Sequence, residues 1–418
     1  MESVTNAIEN LIKSDSFAFD LPSHWKLLGQ FSPPDIDKYP HLEKLLSHAL
    51  EDLIASSNFE TLVRHKKDVV IISDDKSRPT PANLLLPPIL DLLNAQGVPD
   101  KHIKIIVGRG LHPTLTDHEL HEKFGSKVIG RVKIYDHDPF KNLTFIGKTS
   151  YGTSVLVNSL AAKADLKIGL GCIMPHELAG YTGGSGIVIP GVAGQDTINQ
   201  NHCLVGTFEP EFGKIEGNTI REDMEEAAKL LRLDLIINVI LNPRNEVIKL
   251  VAGDPIKAHH LGVSWAKNIY GVKIPKKADV IITRASLNGG TFGKAMKALF
   301  AAHLALKTEG TIIFLASCRD GISSSPIFRN MLLQNPSSEL LFQLIEKGEL
   351  PGESCVLYLF SKVKKHRIIV VTDDLTQKEI EQMGLEFAPT LFDAIQCIPH
   401  KNPEVLIFPK GTTTLPLL

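Results

Sequence analysis

Four segments of this chain carry side chains able to move protons or hold anions. In Ser73-Asp74-Asp75-Lys76-Ser77-Arg78-Pro79-Thr80-Pro81, Asp75 stands three residues before Arg78, a spacing that lets a carboxylate orient a guanidinium for bidentate capture of a carboxylate or phosphate. The same residues also suit a solvated turn whose aspartate caps the next helix. In Gly108-Arg109-Gly110-Leu111-His112-Pro113-Thr114, the glycines permit close backbone approach and the proline restricts His112, which then reads as a general acid or base, or as a turn histidine facing water.

The third segment runs from Met174-Pro175-His176-Glu177-Leu178-Ala179-Gly180-Tyr181-Thr182 through Gly183-Gly184-Ser185-Gly186-Ile187-Val188-Ile189-Pro190-Gly191. So much glycine after a strand suits a ligand loop, with backbone N–H groups forming a nest for a phosphate and His176 at the strand end; a purely structural glycine loop is the alternative. It is neither a Walker loop nor a GxGxxG turn. Just beyond it, His202 reads as a single imidazole ligand to a borderline metal, or as a core histidine satisfied by hydrogen bonds. In the fourth segment, Lys294 and Lys297 share one face of a helix opening after a strand, which suits an anion site or simply two exposed lysines. His118 and His121 read as a polar helix face without a third ligand, and His137, His259 and His260 as structural.

These residues depend on the elements that carry them. Short β-branched runs at 69–73, 103–107 and 164–171 alternate with amphipathic stretches, the signature of βα units. Two hairpins are expected, one around Tyr151-Gly152 and one around Asn242-Pro243-Arg244-Asn245, and the segment from Asn218 to Asp234 reads as a scaffold helix. A polar stretch near Ile274 precedes a fresh series of strands. The fold class is therefore α/β: a catalytic and cofactor-binding domain over 1–274, a smaller domain over 275–418, and a ligand cleft between them. The last strand is placed so that it can pack back on the first domain. The first 60 residues hold one helix, near His41 to Ile54, and no evident chemistry.

Composition narrows the class. The 418 residues are 43% hydrophobic and 22% charged, as expected of a globular chain, and the formal charge of −2 lacks the basic excess that nucleic acid favours. No apolar run approaches the roughly 20 residues of a membrane span, and the N-terminus lacks a secretory pattern, so a cytoplasmic location is expected, with neither a membrane nor nucleic acid as partner. Five cysteines without a CxxC pair argue against a disulfide framework or a zinc ribbon.

Taken in order, the segments resemble the nickel-pincer lactate racemase family, whose members show DxxRP, a GxxH-type segment, PHxxAGxxGG, a following histidine, and a QxxK segment in the second domain. The resemblance spans about residue 65 to the C-terminus. It implies a racemase or epimerase of a small 2-hydroxy acid, using a nickel-pincer nucleotide delivered by cofactor-maturation proteins. Its implied route has the substrate carbon give up a hydride while its hydroxyl gives up a proton, so that a planar keto acid can be reduced from either face. Carried over residue by residue, His112 and His176 are the two acid/base groups, Arg78 and Lys297 hold the carboxylate, and Asp75 orients this cluster. His202 is the axial nickel ligand. Gly183, Gly184, Ser185, Gly186, Pro190 and Gly191 approach the cofactor phosphate through backbone donors. Two positions depart from the pattern. Gly186 stands where the family's racemases have a lysine joined covalently to the cofactor, which implies non-covalent binding. Lys294 replaces the usual glutamine, which suits a more acidic substrate than lactate. A non-catalytic relative that binds a nucleotide or hydroxy acid is the competing reading, and metal-free proton abstraction by the same histidines is a third.

Overall fold

Val69 to Asp74 is six residues without alternation, and all six are buried. Such a run needs cover on both faces, which is the position of a central strand in a parallel sheet. The structure, a computed structural model, describes residues 17, 19–208, 211–285 and 290–418. Leu287, Asn288 and Gly289, the start of the lysine-bearing segment, lie outside the described residues. In chain order the strands are β1 (Lys26–Gln30), β2 (Val69–Asp74), β3 (Ile103–Gly108), β4 (Lys133–Asp136), β5 (Leu143–Lys148), β6 (Ser154–Asn158), β7 (Leu166–Ile173), β8 (Pro175–His176) and β9 (Gly180–Tyr181). They continue with β10 (Leu235–Leu241), β11 (Val247–Gly253), β12 (Gly271–Lys273), β13 (Ala278–Arg284), β14 (Leu306–Leu315), β15 (Arg367–Val371), β16 (Glu386–Ala388), β17 (Glu404–Phe408) and β18 (Leu415–Leu417).

The first six-stranded sheet has the order β11-β10-β7-β2-β3-β4. All its neighbours are parallel except β10 and β11. The chain leaves β2 toward β3 and β4, then returns to lay β7 along the other flank of β2. The carboxyl ends of β2, β3 and β7 therefore open onto the crevice where strand order reverses, the usual ligand position in an open α/β sheet. The second sheet, β1-β17-β13-β14-β15-β16, is parallel throughout and reverses at β13. Helices cover both sheets, giving the expected α/β class.

Three details differ from the sequence reading. The hairpin around Asn242 to Asn245 is no decoration: β10 is wholly buried and β11 nearly so, and together they finish the first sheet. The helix Thr219–Leu231 is more than scaffold, because it sends Arg221 and Met224 to a cavity wall. The segment Lys26–Gln30 crosses to the second sheet and pairs in parallel with β17. Its sequence, KLLGQ, shows no alternation, and its half-exposed pattern is that of an edge strand. Trp25 and Phe17 pack there with Val405 and Ile407. At the other end, β18 pairs with β12, which precedes the crossing into the second sheet. No helix among the described residues is long and apolar enough to cross a membrane.

Trp25 is 8% exposed within this cluster. Trp25→Ala is expected to cost about 3 kcal/mol in guanidinium unfolding, and a loss below about 1 kcal/mol would show that the N-terminal strand is not docked on the second sheet.

Candidate functional site

The ends of β2, β3 and β7 deliver three loops to one cavity of about 270 Å³. Asp75, Arg78, His112, His176 and His202 all line it, with Gly183, Gly186, Pro190 and Gly191 forming one wall. Gly352, Glu353 and Val356 close it from the second domain. Lys297 is half-buried at the start of the helix Lys297–Leu304, and its charge acts on His176 and Glu177. Neither lysine is among the residues that line the cavity, and Lys294 is exposed to solvent.

His112 and His176 are held in opposite ways. His112 places Nδ1 2.8 Å from Asp75 Oδ2. A carboxylate only accepts, so Nδ1 carries the proton and Nε2 keeps a free lone pair. Asp75 is buried; burial pushes its carboxyl up, but His112, the Ser77 bond and the Arg78 charge together outweigh this and hold it below the usual carboxylate range. Ser77 fixes the other oxygen through its backbone N–H at 3.0 Å and its hydroxyl at 2.5 Å. His176 sits in the small β8–β9 hairpin, and its Nδ1 accepts from the backbone N–H groups of Leu178 at 3.2 Å and Ala179 at 3.4 Å. Its proton is therefore on Nε2. Burial lowers the His176 imidazole to about 3, with Lys297 and Arg78 adding to the effect and Glu177 opposing it.

His202 ends the helix Gln195–Cys203, and its Nδ1 lies 3.0 Å from Asn201 Oδ1. The Asn201 amide nitrogen already donates to Asp223 and to the carbonyl of Ile220, which fixes its oxygen as the acceptor. His202 thus donates from Nδ1 and leaves Nε2 open. Burial lowers its pKa to about 4, so it is neutral at pH 7, as a metal-ligating imidazole must be.

Three amides of the glycine loop are engaged within the protein. The Gly184 amide donates to Asn238 Oδ1 at 2.7 Å, the Gly186 amide to Gly183 and the Gly191 amide to Gly186. These three donors are therefore not free for a ligand. Gly184 has φ of +56°, and a Cβ there would lie 2.5 Å from the His259 ring, so this position takes only glycine. Gly186 is the opposite case: nothing lies within 4 Å of a Cβ placed there, so a side chain has room. Two lining residues carry buried polar atoms without a partner among the described residues, Glu177 Oε2 and Tyr181 OH. Such orphans fit a site built for a polar ligand.

Several site residues escaped the sequence reading. Lys123 pairs with Asp74 at 2.7 Å and donates to the carbonyls of Arg78 and Thr80, tying down the loop that carries Asp75 and Arg78. Arg221 donates to the carbonyls of Ala179, Tyr181 and Gly183. Its signal was available, because it interrupts the apolar stripe of Ile220, Met224, Ala227 and Leu231. Glu177 is brought down to about 2 by His176 and Lys297 against the opposing effect of burial. Of the histidines read as structural, His137 and His259 are buried and bond the carbonyls of Ala193 and Thr182, whereas His260 is exposed and pairs with Glu225 at 2.8 Å.

The family model for the lactate racemase N-terminal domain matches residues 12–212, and that for the C-terminal domain matches residues 274–415. A lactate racemase from Lactiplantibacillus plantarum is 31% identical over 366 residues, covering 85% of each chain. The chain belongs to the lactate racemase family. Membership places it among the racemases, a class of isomerase. A lactate racemase from Thermoanaerobacterium thermosaccharolyticum is 29% identical over 388 residues, covering 89% of this chain and 90% of that one. The solved lactate racemase apoprotein from that organism superposes with a TM-score of 0.85 at 26% identity, over 96% of this chain and 97% of that one. A Thermotoga maritima protein shares the fold at 18% identity, with a TM-score of 0.67 over 90% of this chain and 97% of that one.

Burial of neutral His176 and His259 makes this family member acid-sensitive. Unfolded histidine titrates near 6.5, so between that pH and the lowered folded values the unfolded chain binds protons that the folded chain refuses. Stability is then full above about pH 6.5 and falls as the pH drops, by up to about 2 kcal/mol per histidine at pH 5. Guanidinium unfolding at pH 7 and pH 5 checks this, and equal stabilities would contradict the buried neutral imidazoles.

Proposed function

We propose that this chain racemises or epimerises a small 2-hydroxy acid, lactate or a close relative, with a nickel-pincer nucleotide held non-covalently in the cavity. The reading is supported above all by two imidazoles presenting opposite ring protonation to one cavity, beside the cations Arg78 and Lys297. His202 fits the metal, since its free Nε2 and neutral ring supply the donor a nickel ion requires. When bound, the cofactor would take a hydride from the substrate carbon and return it.

Everything else falls to the protein's own groups. Arg78 and Lys297 clamp the carboxylate, and Asp75 keeps the His112 Nδ1 proton in place so that Nε2 can accept the hydroxyl proton. His176 presents Nε2–H to the other side. For it to exchange a proton there, Nδ1 must leave the Leu178 and Ala179 N–H groups, whose bonds of 3.2 and 3.4 Å are at the long end of the range. A bound carboxylate helps, because it offsets the positive charge of Lys297 and Arg78 that depresses proton affinity at His176. Glycine at 186 leaves no amine for a covalent bond, and the cofactor is then retained by shape, by His202 and by the wall's unpaired polar atoms. Maturation proteins supply it in the cytoplasm.

The test is conversion of enantiopure 2-hydroxy acids, followed by chiral chromatography, using protein made in cells that synthesise the cofactor. Wild type is expected to drive either enantiomer to a racemate. His112→Ala and His176→Ala should each lower the rate by at least about a hundredfold with nickel content unchanged. Full activity in either variant would sink the two-base scheme, and wild type inert toward every 2-hydroxy acid despite bound nickel would point to a binding protein.

A further inference from the structure

Cys203 ends the helix Gln195–Cys203 in the first domain, and Cys355 begins the turn into the helix Val356–Val363 in the second. They are 152 positions apart in sequence, yet their Sγ atoms lie 3.8 Å from each other. The segments that carry them are joined directly, since the Gly352 amide donates to Asn199 Oδ1 at 2.8 Å. A Cβ on Gly352 would lie 3.0 Å from that same oxygen, so the two backbones approach as closely as glycine allows. The other contacts of the two thiols are long ones to carbonyls, Leu350 O at 3.5 Å from Cys203 and Pro351 O at 3.7 Å from Cys355. Cys203 is partly open to solvent, whereas Cys355 is buried.

We propose that Cys203 and Cys355 form a reversible modification site, a dithiol that a peroxide converts into a disulfide stapling the two domains together at the edge of the cavity. A disulfide requires sulfurs about 2.05 Å apart, so closure from 3.8 Å asks for a movement of less than about 2 Å. The more open Cys203 sulfur attacks one oxygen of hydrogen peroxide. The O–O bond breaks, the thiol proton leaves with the departing oxygen as water, and Cys203 becomes a sulfenic acid. The Cys355 sulfur then attacks the Cys203 sulfur, the S–OH bond breaks, and the Cys355 proton leaves with the hydroxyl as a second water. Two thiols are oxidised by two electrons and one peroxide is reduced to two waters. Cys203 adjoins His202, while Gly352, Glu353 and Val356 around Cys355 line the cavity. The staple therefore fixes how far the second domain stands from the helix carrying His202.

The test uses the full chain, reduced, desalted, treated with hydrogen peroxide, blocked with N-ethylmaleimide and digested without reductant. The expected product is a Cys203–Cys355 peptide pair about 2 Da lighter than the reduced peptides together, released by dithiothreitol. The oxidised protein should unfold at a temperature about 5 °C higher than the reduced protein. In Cys355→Ser, Cys203 should stop at a sulfenic acid that dimedone traps, with no rise in the unfolding temperature. If that variant does not fold, Cys203→Ser serves, with Cys355 left unmodified. Wild-type Cys203 advancing to sulfinic acid while Cys355 stays a free thiol, or cross-links found only between molecules through the exposed Cys397, would overturn the proposal.

Discussion

A buried cation holds the site together. Arg221 is 1% exposed and, among the described residues, has no carboxylate in contact; Glu225 opposes the effect of burial only through its field, and the pKa falls to about 10. Removing such a charge from water costs several kcal/mol unless its donors are satisfied, and here the carbonyls of Ala179, Tyr181 and Gly183 satisfy them. The same bonds tie three carbonyls of the glycine loop to the helix that carries Arg221. His259 takes the carbonyl of Thr182, and Asn238 takes the amide of Gly184. With its backbone so engaged, the loop presents glycine surface and the side chains of His176 and Glu177 to a ligand.

The second organising feature is the arrangement of charge across the cleft. Glu177 from the first domain is surrounded by His176, Arg78 and the Lys297 charge arriving from the second. This single carboxylate offsets part of the positive charge gathered there. Lys123 anchors the loop of Asp75 and Arg78 from behind, so the clamp is held by a buried lysine that never faces the ligand. The two histidines then differ by construction. His112 answers to a carboxylate and His176 to backbone amides, so the two rings present opposite nitrogens in opposite protonation to the cavity.

Much of this was legible in the chain itself. The strands β2, β3 and β7 stood out because buried parallel strands read as uninterrupted β-branched runs, and the loops after them held the chemistry because that is where open α/β sheets bind ligands. Lys26–Gln30 was not legible, since an edge strand with half-exposed residues lacks the periodicity that marks a strand. Arg221 and Lys123 were overlooked for a related reason: a charge on a helix reads as a solvated face until the fold shows what lies over it. That the amides of Gly184, Gly186 and Gly191 are engaged within the protein was not legible either, because glycine content reports backbone freedom but not where the N–H groups point. Lys294 and Lys297 looked equivalent by spacing, and only the second domain's position separates the exposed one from the half-buried one.

The account rests on a nickel-bearing cofactor held without a covalent bond in a working racemase site. The most direct measurement is nickel content together with native and denatured mass of the protein made in cells that supply the cofactor, with Gly186→Lys measured beside it. Stoichiometric nickel, an added mass in the native spectrum that disappears on denaturation, and its retention in Gly186→Lys are the predicted results. No nickel and no added mass in wild type, despite active cofactor supply, would contradict the account.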